Sequence, residues 1–234
     1  MNEKIPSKQK SFKDLIRIGS EITGSVTGVL IGSLLAGPPG AVAGVIAGVI
    51  AGPLFGNAIK KIGDDIANRF LSHNETRRIG IVMIYACNRF EENKKKGLEI
   101  RDDGFFNDNI KRSTGEEVIE GILLIAQREY QEKKLQYQGN LLANIAVCPE
   151  IDQAQANYLI KLAATLTYRQ LCMLTLIEQK KKYSISELAN KSAKYRPDEF
   201  TSEELSLIQE LHLMYTQGIV STYKGGMWTD TLAI

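Results

Sequence analysis

Apolar and polar residues alternate with a helical period through most of this chain, but one stretch departs from the pattern. From Ile22 to Ala58 no charged residue occurs, and glycine recurs at every fourth position. Gly24, Gly28 and Gly32 form one row, which Ala36 continues. Gly40, Gly44, Gly48, Gly52 and Gly56 form a second row after Pro38 and Pro39. Residues four apart share a helix face, so each half presents a bare-backbone stripe. A glycine inside a helix costs roughly 1 kcal/mol relative to alanine in water. Eight in register therefore imply that something packs closely against them, as small-residue stripes do between helices in lipid. The pattern predicts a hairpin of two glycine-zipper helices, turned at Gly37-Pro38-Pro39-Gly40.

The remaining chain reads as helices. Ser11 and Asp14 cap a short amphipathic segment before the hairpin. After Pro53, apolar residues recur at Phe55, Ile59, Ile62, Ile66 and Phe70, an amphipathic helix suited either to a bilayer surface or to a protein core. A helix over 75–96 places Ile79, Val82, Met83, Ala86 and Phe90 on one side. Residues 97–112 read as a loop or linker. Ser113 and Glu116 open a long helix bearing Val118, Ile119, Ile122, Leu123, Ala126 and Tyr130, broken near Gly139 and ending at Ala146. A further helix from Ile151 carries Ala154, Tyr158, Leu159 and Leu162.

Three capping-box patterns follow at 17-residue intervals: Thr167/Gln170, Ser184/Glu187 and Thr201/Glu204. Gly218 stops the last helix, and 219–229 reads as a β-hairpin around Lys224-Gly225-Gly226. Three helices and a hairpin outline a winged helix. The expected architecture is thus mainly α. It comprises a basic N-terminal segment (1–21), the glycine-zipper hairpin with its amphipathic helix (22–74), a helical domain (75–164) and a winged-helix-like domain (165–234).

The hairpin arms are short for a membrane span, which needs about 20 apolar residues. The first arm, Ile22 to Gly37, extends roughly 24 Å at helical rise, and Pro53 interrupts the second. Two readings fit the same residues: a membrane hairpin, and a buried or self-associating hairpin in a soluble oligomer. Lys4, Lys8, Lys10, Lys13 and Arg17 before it, and Lys60 and Lys61 after it, place both ends on the cytoplasmic side in the first reading. Ala41-Val42-Ala43 mimics a signal-peptide cleavage site, but Glu3, Asp14 and Glu21 precede it and the apolar run continues past it.

Composition narrows the function classes. A mean hydropathy of -0.15 and 24% charged residues are foreign to a polytopic transporter. Net charge is only +2, and basic and acidic residues are equal in number from Thr167 onward, eight of each. The helix from Ser202 carries Glu203, Glu204 and Glu210 and no Lys or Arg, so a winged helix here favours a protein partner over nucleic acid. Cys87, Cys148 and Cys172 are odd in number and far apart, which suits buried thiols in a reducing compartment. His73 and His212 have no ligands at metal spacing. Residues 102–109 lack the ligand ladder and distal Glu of a calcium loop. No nucleophile elbow or phosphate-binding loop occurs. The chain is expected to be no enzyme and to use no cofactor.

Several short motifs resemble the Abi-alpha family of bacterial abortive-infection proteins. They are Gly52-Pro53-Leu54-Phe55-Gly56, Arg77-Arg78, and a helix carrying Glu132, Leu135, Gln138 and Leu141-Leu142-Ala143-Asn144. Leu166-Thr167, Gln170-Leu171, Leu174, and Leu213 with Gly218-Ile219-Val220 complete the set. Tyr137-Gln138 stands where the family pattern has a Trp-Ala pair. The resemblance implies a phage-defence role and supplies no catalytic residues. With the hairpin, it leads to the expectation of an effector at the bacterial inner membrane with a cytoplasmic soluble domain. Its partners would be the lipid bilayer, copies of itself and a protein sensor of the same system. The membrane and oligomerisation residues would be Gly24, Gly28, Gly32, Gly40, Gly44, Gly48, Gly52 and Gly56, with Pro38 and Pro39 at the turn. The alternative is an anchored or self-assembling adaptor whose C-terminal domain docks a partner.

Overall fold

A computed structural model describes residues 53–67, 69, 71–107, 112–178 and 201–220. Seven α-helices and no strand lie among them, so the chain is mainly α. The helices are α1 (Pro53–Ala67), α2 (His73–Lys95), α3 (Thr114–Arg128), α4 (Leu135–Ile145), α5 (Gln153–Thr165), α6 (Tyr168–Glu178) and α7 (Ser202–Thr216), with a 3₁₀ turn at Glu132–Lys134 before α4. They fall into two compact units, α1–α5 and α6–α7. The glycine-zipper arms and most of the expected β-hairpin lie outside the described residues.

In the first unit, α1 supplies a large share of the core. Phe55, Ile59 and Ile66 are fully buried and Ile62 is nearly so. At about 1.5–3 kcal/mol for each large side chain removed from water, the four together contribute up to about 6–12 kcal/mol. This amphipathic face is therefore committed to the protein interior. The division expected after residue 74 runs through one shared core.

Helix α2 packs along α4, and the spacing between them is set by Gly139. A Cβ at this position would lie 2.5 Å from Tyr85 Cβ, 2.7 Å from the Val82 carbonyl oxygen and 2.9 Å from the Ala86 amide nitrogen. The glycine is a point of close helix approach, and α4 runs through it unbroken. The interruption expected there occurs instead at residues 129–134, between α3 and α4, where the 3₁₀ turn lies.

Two other sequence expectations are corrected by the packing. Tyr130, assigned to the apolar side of a continuous helix, lies past the end of α3 and is 80% exposed. On α5 the buried residues are Ala156 and Ile160, of which Ile160 meets α3 at Gly121, whereas Ala154 and Tyr158 face solvent.

Residues 97–107 form a pinned loop. Gly97 (φ 81°) ends α2 in a left-handed conformation, with Leu98 N–H donating to the Asn93 carbonyl and Gly97 N–H to that of Lys94. The buried Arg101 guanidinium then pairs with Asp103 and donates to the carbonyls of Ile151 (2.7 Å), Cys148 (3.1 Å) and Pro149 (3.3 Å). It also lies 3.9 Å above the centre of the Phe105 ring.

In the second unit, α6 buries Leu171, Cys172, Met173, Leu174, Leu176 and Ile177. Arg169 pairs with Glu210 of α7 and donates to Ser206 Oγ at 2.8 Å. Thr201 and Glu204 form the expected capping box, and Gly218 (φ 72°) closes α7 as expected, with buried Ile219 donating to the Met214 carbonyl.

Candidate functional site

Of the ten residues that the sequence assigns to membrane contact, oligomerisation and the turn, the described residues include only Gly56. It lies on α1, half-buried, beside the fully buried Phe55. The other glycines, Pro38 and Pro39 lie outside. No helix among the described residues is long and apolar enough to cross a membrane.

Among the described residues, a polar constellation stands where α2 begins and α3 ends. Ser72 caps α2, and the Glu75 carboxylate accepts from the Ser72 hydroxyl and backbone and from Gln127 Nε2 at 2.9 Å. These donors lower the Glu75 pKa to about 2. Arg77 and Arg78 converge on Glu132, and Arg78 also donates to the Gln127 carbonyl at 3.3 Å. Beneath them lies an ion pair in which both side chains are about 95% buried: Lys134 Nζ stands 2.8 Å from Glu129 Oε2. Glu129 also accepts from Gln138 Nε2 (3.1 Å) and Gln131 N–H (3.0 Å), and Lys134 donates to the Ala164 carbonyl at 3.0 Å. Charges this deep persist only when paired and hydrogen-bonded.

The arrangement fixes the 129–134 corner and offers little reactivity. Glu75 is too weak a base near neutral pH, and Glu129 is held by Lys134. Burial, with the nearby Glu91 carboxylate, pushes the Cys87 thiol up to about 12. Partial burial and the Glu150 carboxylate 3.1 Å away also raise Cys148. Neither thiol is a ready nucleophile. Among the described residues no group of three potential metal ligands occurs, and His73 and His212 are both solvent-exposed.

Two of the motif segments, Arg77-Arg78 and the stretch from Glu132 to Asn144, meet where α2 packs along α4. Arg77 and Arg78 reach Glu132; Leu135, Gln138, Leu141, Leu142 and Ala143 are buried on α4. Asn144 Oδ1 accepts from Asn93 Nδ2 at 3.1 Å and Arg89 Nε at 3.3 Å. These residues build a scaffold. The Glu129–Lys134 pair and the Arg101 clamp are not legible in the sequence, because pairing across a bend or with distant carbonyls leaves no periodic signal. Ser72-x-x-Glu75 does carry the spacing of a capping box.

A second cluster lies at the start of α1. Phe55 stacks on Phe90 with ring centres 4.6 Å apart and meets Phe106 edge-on at 6.0 Å, and Phe106 in turn meets Phe105. The chain thus enters the core at Phe55, one residue before the last glycine of the second row.

No family model, no curated protein and no solved structure matches this chain.

Proposed function

We propose that this chain is a non-enzymatic, membrane-acting effector of a bacterial anti-phage system of the abortive-infection kind. Residues 22–52 insert as a glycine-zipper hairpin, oligomerise through their glycine stripes and depolarise or permeabilise the inner membrane. The observation that carries this reading is the double row of glycines at four-residue spacing, which leads without a spacer into the buried stem α1. The charged groups of the polar constellation are engaged with one another, Arg77 and Arg78 with Glu132 and Lys134 with Glu129. The assignment to phage defence rests on the Abi-alpha resemblance. The 219–229 segment completes a winged-helix-like domain that contacts protein; Glu204 and Glu210 of α7 are engaged within that unit.

The test is dye leakage from anionic liposomes, together with toxicity on expression. Replacing Gly44 and Gly48 by Leu fills the stripe and abolishes both effects while leaving helicity and melting unchanged. Full leakage and toxicity from that variant refute the reading. A deletion used alongside it must end before Pro53, since Phe55 and Ala58 belong to the core.

A second reading, an anchored or self-assembling adaptor, is favoured by the Tyr130 corner. An exposed tyrosine beside arginines has the composition of a protein-binding hot spot. Under this reading, overexpression leaves the membrane potential unchanged.

A further inference from the structure

We propose that the helical domain of α1–α5 meets the bilayer end-on, through the face formed by the start of α1, the end of α2 and the loop 96–107. Leu54 and Leu98 then lie at the lipid interface and the Tyr130 corner points away from it. This orientation rests on the membrane reading above and adds to it which protein surface touches lipid.

The helix pairings define the two ends. Phe55 stacks on Phe90, while Gly63 packs against Met83, so α1 runs antiparallel to α2. Lys61 bonds Glu116 at 2.6 Å and Arg69 bonds Glu120, so α1 and α3 run in the same sense. The starts of α1 and α3 and the end of α2 therefore share one end. The start of α2, the end of α3 and Tyr130 share the other.

Chain length selects between the ends. Two residues separate Gly52 from the buried Phe55, and the three steps between them cover at most about 11 Å in a fully extended chain. The 23 residues of α2 extend for about 34 Å. A hairpin inserted up to Gly52 thus holds the Phe55 end against the bilayer, and the far corner stands roughly one domain length away.

The side chains at the near end fit this contact. Leu54 is 41% exposed and Leu98 45%, where aliphatic side chains gain from entering the interface. Lys95 and Lys96 are balanced by Glu99 and Asp102, Lys94 is paired with Glu91, and Arg101 with Asp103. These charges balance one another, and the contact this face makes with lipid is apolar. The far corner offers the opposite chemistry. Its Arg77, Arg78, Arg128 and Lys133 outnumber Glu75 and Glu132, so an electrostatic attraction to anionic lipid would select it instead.

Fluorescence distinguishes the two ends. In full-length protein with Trp228→Phe, single tryptophans are placed by Leu98→Trp, Leu54→Trp or Tyr130→Trp. Each variant is mixed with phosphatidylethanolamine–phosphatidylglycerol vesicles carrying brominated acyl chains, and binding is followed by co-sedimentation. The expected result is loss of most emission at positions 54 and 98 and little change at 130. Quenching at 130 equal to or above that at 54 and 98 overturns the orientation while leaving membrane binding intact. Absence of co-sedimentation overturns the membrane reading and the orientation together. Two reporters at the near end guard against one of them disturbing the fold.

Discussion

Gly139 and Gly121 receive the same substitution with opposite results. Both lie inside helices, so replacement by alanine gains about 1 kcal/mol of helix propensity at either site. At Gly121 the new Cβ would lie 3.6 Å from Ile160 Cδ1, an ordinary contact, and Gly121→Ala is expected to stabilise the protein by about 0.5–1 kcal/mol. At Gly139 the new Cβ meets the Val82 carbonyl and the Ala86 amide, backbone atoms of a packed helix that cannot rotate aside. Overpacking costs about 1–3 kcal/mol, and backbone contacts place this site at the upper end. After the propensity gain, Gly139→Ala is expected to destabilise by about 2 kcal/mol. Urea unfolding followed by circular dichroism measures both: the midpoint rises for Gly121→Ala and falls for Gly139→Ala, with the slope unchanged. A Gly139→Ala protein as stable as wild type would refute the close approach of α4 to α2.

Three further outcomes are expected. Lys134→Met leaves Glu129 buried without a counter-charge and destabilises by about 3–5 kcal/mol, and adding Glu129→Gln recovers much of the loss in the same unfolding assay. Glu75 has its pKa lowered from 4.5 to about 2 in the folded state, so its contribution is complete above pH 4.5 and is lost as pH falls toward 2. Stability measured across that window falls less steeply in Glu75→Gln than in wild type. Titration with a thiol reagent leaves Cys87 unmodified in the folded protein, and Cys148 reacts slowly. Glu150→Gln removes one of the causes raising the Cys148 pKa and speeds its modification; an unchanged rate would show that the carboxylate has no influence there.

Local signals in the sequence gave accurate element ends. Thr201 and Glu204 form their reciprocal cap, and Gly97 and Gly218 sit at helix ends with positive φ. Ser113 caps α3 as expected, but the Glu116 carboxylate that would complete the box is taken by Lys61, 55 residues away. Periodicity also identified Ile79, Val82, Met83, Ala86 and Phe90 as a buried face. Partnership was harder to read. A glycine within a helical pattern marks either a break or a close contact, and only the position of α2 decides for Gly139. The polar residues 101–107 resemble a linker because one buried arginine, bonded to carbonyls nearly fifty positions later, carries no pattern. The same holds for α1, whose stripe suits a bilayer or a core equally well and is assigned by Phe90 and Met83. The candidate membrane site is legible only as the glycine rows, of which the described residues include Gly56 alone.

The long separation between α1 and its partners has a consequence during synthesis. Lys61 bonds a residue 55 positions further along the chain. At translation rates of about 5–20 residues per second, that partner is made roughly 3–11 s later. Through this interval the apolar run of residues 22–52 has already been made, while its stem has at most the α2 part of the surface it folds onto. The nascent chain thus passes through a window of several seconds in which its most aggregation-prone segment precedes the framework that restrains it. Whatever first meets that segment, a chaperone or a lipid surface, does so before the domain exists to compete.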